Sequence, residues 1–311
     1  MFDLRGVLVS LGFFGVVYCL LSLLVVCCWR GVARFTGLSS RATAHLLFGL
    51  RIFPFTASLL LTLAFGLPAF LLLEGGGVDE DWGTLVFCTG SLLLLSAGVF
   101  RAITAHAQTA RIVSEWTEGA SALDTGTQLP TLQVRPGIPS LLLCGICKPT
   151  VLVSETAVAM LSRNELRIAL GHEIEHLRVR DNLKKLFVYT LPFPGMSGLE
   201  RSWHESAELA ADDAAVTSRV EAVDLAAALV KLSALAPVAP TPAFTTGLVN
   251  APTPLNHRVE RLLSWSEQRL PGRRCEWWYL CPPLSVLALC AAVEYGRLLL
   301  LTHRATEWFV R

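Results

Sequence analysis

The chain is poor in charge. Only 16% of its 311 residues are Asp, Glu, Lys or Arg, 53% are hydrophobic, and the formal net charge is +1. So few charges do not suit one or two ordinary soluble domains, and the mean hydropathy of +0.52 points to a membrane protein. There is no long basic run, so nucleic-acid binding has no support. The nine cysteines are scattered. Cys144 and Cys147 form a CxxC pair with no second pair nearby, which excludes a zinc ribbon and leaves them as strand residues in a reducing compartment. Cys19, Cys27, Cys28, Cys88, Cys281 and Cys290 fall in apolar runs, where cysteine behaves as a small apolar residue. No solenoid-type repeat occurs.

Long hydrophobic runs stand where the charges are missing. Gly6 to Trp29 holds 24 residues without a charge, about 36 Å as a helix and enough to cross a hydrocarbon core of about 30 Å. It exceeds a signal-peptide core and lacks a strongly basic start, so it reads as a retained span. Ile52 to Leu73 gives a second run, with Pro54 near its start and Pro68 as a candidate kink, and Trp82 to Phe100 a third. A fourth is entered through the interfacial aromatics Trp277, Trp278 and Tyr279 and continues past Glu294 towards Leu301. Glu294 and Arg297 are three apart and can neutralise each other, and Arg51 belongs at the inner interface.

Charge in the connecting loops sets the orientation. The first loop carries Arg30, Arg34 and Arg41 and no acid, whereas Glu74 to Asp81 carries four acids and no base. The first loop is therefore expected inside and the second outside. This predicts three transmembrane helices in 1–101, a cytoplasmic domain in 102–276, and a fourth transmembrane helix with a short outer tail in 277–311. Arg269, Arg273 and Arg274 before the fourth span agree with that side, while Arg304 and Arg311 run mildly against it. The expected molecule is a multi-pass protein of the cell (inner) membrane, with the bilayer as its first partner.

Within the inner segment, Ala102 to Gly119 continues the third helix. Three short β-rich runs follow, Thr131 to Arg135, Ser140 to Ile146 and Thr150 to Ser154, separated by Pro136-Gly137 and Lys148-Pro149. Ser162-Arg163-Asn164-Glu165 fits a capping box that opens a helix to about Asp181. Further helices are predicted over Gly198 to Arg219, Val223 to Leu235 and Leu255 to Leu270, with a loop rich in Pro, Ala and Thr before the last. The fold class is an α-helical membrane protein carrying an α+β domain, mostly helical with a small sheet.

The capped helix contains His172-Glu173-Ile174-Glu175-His176. Residues four apart return to nearly the same helix face, so His172 and His176 can direct two imidazole nitrogens at one metal ion. Zinc held by two histidines and a carboxylate keeps a position for water and lowers its pKa to about 7. Helix geometry alone does not choose between Glu173 and Glu175 as the base, since they flank the histidines on opposite sides. The HExxH pattern selects Glu173 and leaves Glu175 solvated or behind the ligands. On the next helix, Glu208 and Asp212 are four apart. Glu208 can complete the site and Asp212 can accept the free ring N–H of a ligand histidine, while Glu205 on the same stripe is a rival ligand.

These residues carry a family resemblance. Gly145 to Pro149 with Val151 to Ser154, Leu161 to Leu166, His172 to His176, Arg180-Asp181-Asn182 and Glu208 to Ala215 resemble the BlaR/MecR-type integral-membrane zinc metallopeptidases, a group related to HtpX and the CAAX-prenyl-protease type gluzincins. Asn256 to Leu263 matches more weakly, and three spans before the domain with one after it agree. The resemblance implies a gluzincin-like cytoplasmic metallopeptidase domain, zinc bound by His172, His176 and Glu208, Glu173 as catalytic base and Asp212 behind the ligands. Only about ten residues follow the fourth span, so the extracellular penicillin-binding sensor of the β-lactam receptors is not expected here.

The expected activity is zinc-dependent endopeptidase cleavage of a cytoplasmic protein. The resemblance implies a transcriptional repressor as substrate and signal transduction as the role. An HtpX-like quality-control protease is the second reading, and a receptor or scaffold with a structural metal site the third. The β-rich segment offers an edge for an extended substrate. His204, His257, Arg258 and Tyr189 stand as undistinguished candidates for the oxyanion partner.

Overall fold

A computed structural model describes residues 2–35, 38–73, 82–126, 129–235, 242–248, 254–266 and 294–310. Three helices carry the expected apolar runs: α1 (Phe2–Phe35), α2 (Ser40–Leu61) and α4 (Trp82–Thr117). The stretches Val7–Ala33, Ser40–Phe70 and Leu85–Thr117 are long and apolar enough to cross a membrane. The entry to the expected fourth span lies outside the described residues. Its continuation, α11 (Tyr295–Val310), packs on the second half of the second run, and Glu294 pairs with Arg297 at 3.0 Å as expected.

The kink expected at Pro68 takes a definite form. Residues Thr62–Gly66 make a π-helical turn between α2 and α3 (Leu67–Leu73). Proline has no N–H to give the carbonyl four residues earlier, which here belongs to Ala64. That freed carbonyl accepts a hydrogen bond from the Tyr295 hydroxyl at 2.9 Å. A polar group that would otherwise face hydrocarbon is thereby satisfied by α11.

Past the membrane, α4 runs without a break into the domain, as Ala102 to Gly119 predicts, and delivers Trp116 to the sheet. The strands are β1 (Ser121–Ala122), β2 (Thr131–Val134), β3 (Leu141–Cys144), β4 (Thr150–Ser154) and β5 (Thr245–Thr246), in the order β1-β2-β4-β3-β5. Only β2 and β4 are parallel. Both faces are covered, which is why β3 and β4 read as unbroken apolar runs. Leu141, Leu143, Val151 and Val153 pack on the helices of the domain core, while Leu142, Cys144 and Leu152 pack on Trp116 and Ile138. The expected strand to Ile146 stops at Cys144 because Gly145 turns the chain at φ +91°, where an added Cβ would meet the Lys148 carbonyl at 2.6 Å. Cys147 is therefore exposed in the turn and not a strand residue.

The helices are α5 (Glu155–Met160), α6 (Arg163–Arg178), α7 (Asp181–Thr190), α8 (Ser197–Ala215), α9 (Arg219–Ser233) and α10 (Leu255–Leu263). The capping box is present: Ser162 Oγ accepts from Glu165 N and Glu165 Oε2 accepts from Ser162 N at 2.7 Å. α8 ends before the expected Arg219, because Val216 is extended and Ser218 caps α9. Likewise α10 stops at Leu263, short of Leu270.

The domain is seated on the membrane helices through α8. Leu199 and Trp203 of its first half share a core with Val25, Trp29, Ala44 and Leu47 of α1 and α2. Arg51 sits at this seam, buried rather than interfacial; it pairs with Glu200 at 2.7 Å and donates to the carbonyls of Val188 and Leu191. α4 also closes on the end of α7 at Gly98, where a Cβ would strike the Thr190 carbonyl.

Candidate metal centre

α6 and α8 pack together, and each presents one stripe of polar side chains to the other. His172 and His176, one turn apart, direct their Nε2 atoms at a common point and hold them 3.1 Å from each other. Glu208 enters from α8 with one oxygen 3.4 Å from His172 Nε2 and the other 3.4 Å from His176 Nε2. Two ring lone pairs and a carboxylate so close are mutually repulsive unless a positive charge lies among them. Ligands at about 2.0–2.1 Å in a tetrahedral set stand about 3.3–3.4 Å apart, so the triangle has the size of a divalent-ion site. His172, His176 and Glu208 are the group of metal-capable side chains found among the described residues. Glu205, the rival ligand, is not in it.

Each imidazole is held from behind. His176 Nδ1 is 2.7 Å from Asp181 Oδ2, and His172 Nδ1 is 3.0 Å from Asp212 Oδ1, close but poorly aligned for an N–H bond. A carboxylate on Nδ1 fixes the tautomer that frees Nε2 for a metal. Asp212, expected to accept the ring N–H of a ligand histidine, lies beside His172 Nδ1 without an aligned hydrogen bond to it. In the sequence Asp181 marks the end of the helix and belongs to the family-like run Arg180-Asp181-Asn182, with no role at the histidines assigned to it. It reaches His176 because Arg180 adopts a left-handed conformation, φ 56° and ψ 44°, which reverses the chain into α7. Asn182 then ties the start of α7 to the turn after β3 by donating to the Gly145 carbonyl at 3.0 Å.

The charges of the pocket oppose burial and win. Burial alone would push both imidazoles towards neutrality, but Asp212 and Glu208 raise the pKa of His172, and Glu208 and Asp181 push that of His176 up to about 10. Burial would raise the carboxyls, yet Arg258 and His172 hold Asp212 down to about 2, and the histidines with Arg258 hold Glu208 well below the usual range. The pocket is built to attract positive charge, which a divalent ion satisfies better than protons. Arg258 grips Asp212 with two bonds, 2.8 and 2.6 Å, and lies 3.2 Å from Glu208.

Glu173 differs from the other acids. It is fully buried, Thr246 Oγ1 donates to its Oε2 at 3.3 Å, and its Oε1 has no protein partner. Burial, the largest influence on it, raises its pKa. Glu175 faces the other way and is neither solvated nor behind the ligands: it is buried in pairs with Arg41 and with Arg178 at 3.0 Å. Of the oxyanion candidates, Arg258 is committed to the acids, His257 is exposed, and Tyr189 packs on Phe244. His204 lies one turn before Glu208 on α8, and burial with the charge of Lys185 lowers its pKa to about 4.

The edge of the sheet beside the centre is not open along its whole length. β5 pairs with Leu143 and Cys144 of β3, so a strand-like partner of the sheet near Glu173 is already supplied by the chain itself. Nothing in the loop composition of 236–253 signals this two-residue strand.

The profile of the BlaR1 peptidase M56 family matches residues 83–262, more than half of the chain and all of the centre just described. The chain belongs to that family. A search of curated proteins finds no match to it. Membership in the BlaR1 peptidase M56 family, together with three membrane-capable helices, makes the chain a membrane-associated metallopeptidase with a protein substrate. The resemblance carried by His172 to His176 and Glu208 to Ala215 is borne out at the level of the family.

Proposed function

We propose that the chain is a zinc endopeptidase of the HExxH type that works on the cytoplasmic side of the inner membrane. The observation that carries this reading is the triangle of His172 Nε2, His176 Nε2 and the Glu208 oxygens, with sides of 3.1, 3.4 and 3.4 Å. Zinc suits a donor set of two imidazoles and a carboxylate, and when bound it supplies Lewis acidity for the scissile carbonyl and for water. Asp212 and Asp181 orient the two rings. Glu173 is the base: its unpartnered Oε1 takes the proton of the attacking water and passes it to the leaving amine nitrogen. Burial supports that role, since it raises the pKa of the Glu173 carboxyl and so makes the carboxylate a stronger proton acceptor. It also argues against a purely structural site, which needs no unpaired buried acid beside its ligands.

The loop charges support the topology. Arg30, Arg34 and Arg41 stand between the first two apolar runs with no acid beside them, whereas Glu74 to Asp81, between the second and third, carries four acids and no base, the bias expected of an inner and an outer loop. The chain divides into 1–101, 102–276 and 277–311, membrane helices, peptidase domain and fourth span with tail, although α4 crosses the first boundary as one helix. A cytoplasmic repressor is the substrate this topology suits, cleaved in a signalling response.

Glu173→Gln keeps the shape of the side chain and removes the base. In the purified chain it is expected to lower peptide cleavage by roughly 10²–10⁴-fold, with bound metal by elemental analysis unchanged. Equal rates in the two forms would overturn the assignment. Comparing cytoplasmic protein fragments in cells carrying either form then identifies the substrate.

A further inference from the structure

A cleft of about 820 Å³ opens beside the metal centre, where α4 meets α7 and the turn into α8. One wall is apolar, with Leu94 from the third membrane helix facing Pro192 and Phe193. Leu94 and Arg101 are seven residues apart on α4, so they share a face about 10 Å long. The cleft therefore reaches from the apolar run into the domain.

Its charge is one-sided. Arg101, Lys185 and Arg201 line it together with one acid, Glu200, and that acid is already paired with Arg51 at 2.7 Å. Among the described residues, no carboxylate pairs with Arg101 or Arg201. Arg101 instead lies over the Tyr189 ring, 5.8 Å from its centre, and both arginines are exposed. The inner end adjoins the chemistry. Lys185 Nζ donates to the Thr245 carbonyl at 2.5 Å, and the next residue, Thr246, holds Glu173. His204, also in the lining, stands one turn from Glu208.

We propose that this cleft selects the substrate, taking a peptide segment that carries an Asp or Glu side chain close to the scissile bond, with apolar neighbours laid against Leu94, Pro192 and Phe193. This rests on the peptidase reading above. An anionic lipid headgroup would satisfy the same arginines, but a lipid has no need of an inner end beside Glu173, and a substrate does.

The test uses the full chain in phosphatidylcholine nanodiscs and a library of eight-residue fluorogenic peptides in which each position is in turn Glu or Gln. Glu is expected to raise kcat/KM roughly tenfold over Gln at one or two positions. The double variant Arg101→Gln/Arg201→Gln brings that ratio near one, and Arg111→Gln, on an exposed face of α4, leaves it as it was. No preference for Glu at any position, or a preference that survives the double variant, overturns the proposal. So does a rate that depends on added phosphatidylglycerol, is abolished by the double variant and ignores peptide charge, which would make the cleft a lipid site. Should the native chain cleave no better than Glu173→Gln, the peptidase reading fails. Fluorescence anisotropy of labelled Glu and Gln peptides on the Glu173→Gln protein then still decides the cleft: tighter Glu binding that the arginine variants abolish supports it, and equal binding overturns it.

Discussion

Two ion pairs join α8 to α10, and they differ in little but water. Arg258 and Arg261 sit one turn apart on α10 and grip the adjacent acids Asp212 and Asp213, each through two nitrogen–oxygen bonds of 2.6 to 2.8 Å. The first pair is 2% and 1% exposed, the second 26% and 25%. Exposed, such a pair can let go and be resolvated. Buried, it cannot lose one member without stranding the other, and here the stranded charge would be the carboxylate behind His172, with Glu208 next to it. Burial turns the same chemistry from a latch between helices into a condition for the metal centre.

Arg258→Met should therefore have the largest effect, a loss of about 3–5 kcal/mol of stability together with loss of bound metal. Chemical denaturation in detergent and elemental analysis measure the two. A cost no larger than that of Arg261→Met would break the comparison.

The excess of negative charge that Arg258 balances also predicts how the centre answers to pH. In the metal-free chain, Glu208 and Asp181 overcome burial and push the His176 pKa up to about 10. A pKa raised on folding stabilises the protonated form. That contribution is complete below the ordinary value of 6.5 and fades as pH rises through about 10. An entering metal ion must displace the proton, so apparent zinc affinity should rise with pH, up to about tenfold per unit for each proton released. Calorimetric titration in HEPES and in Tris, whose ionisation heats differ, counts the protons. Zinc binding that releases none would remove this electrostatic account.

How much of this was legible beforehand depended on sequence distance. The metal triangle was, because HExxH places two ligands within one helix and Glu208 and Asp212 repeat the four-residue spacing on the next. The start of α6 was, because Ser162 and Glu165 cap it locally. Asp181 was not, since its approach to His176 depends on the left-handed Arg180, a conformation that no pattern in Arg180-Asp181-Asn182 announces. Arg258 could be nominated but not assigned, because its partner Asp212 lies 46 residues away and only the packing of α10 brings them together. Glu175 reads from the sequence as solvated or behind the ligands, because its partner Arg41, in the first turn of α2, lies 134 residues away. The two residues of β5 carry no alternation to detect. Local periodicity and caps are written in neighbouring residues, whereas ion pairs between distant elements are written in the fold.

Arg51 makes an intermediate case that sharpens the comparison. It is as buried as Arg258, but its carboxylate partner Glu200 is 28% exposed and its other acceptors are the carbonyls at the end of α7. Removing it leaves groups that water can partly reach. Arg51→Met should cost about 1.5–3 kcal/mol, less than Arg258→Met, and should speed proteolysis near Pro192 to Gly195 as α7 and α8 loosen from α2. Limited proteolysis with mass spectrometry reads this directly, and an unchanged pattern would mean that the apolar seam of Leu47, Leu199 and Trp203 holds the domain without it.

The smallest effect belongs to Arg261. Its guanidinium also reaches Ser40 Oγ at 3.0 Å, so it joins α10 to the start of α2 as well as to α8. With a quarter of each side chain in water, Arg261→Met should cost no more than about 1 kcal/mol and leave the metal content intact. Salt separates the two pairs more finely than mutation does. At 1 M salt the screening length falls to about 3 Å, so the difference between native chain and Arg261→Met should shrink towards zero. The deficit of Arg258→Met should persist, because ions do not enter the space between Arg258 and Asp212. If both deficits fell alike with salt, burial would not be what distinguishes the pairs, and the centre would owe its charge balance to the surface as much as to the core.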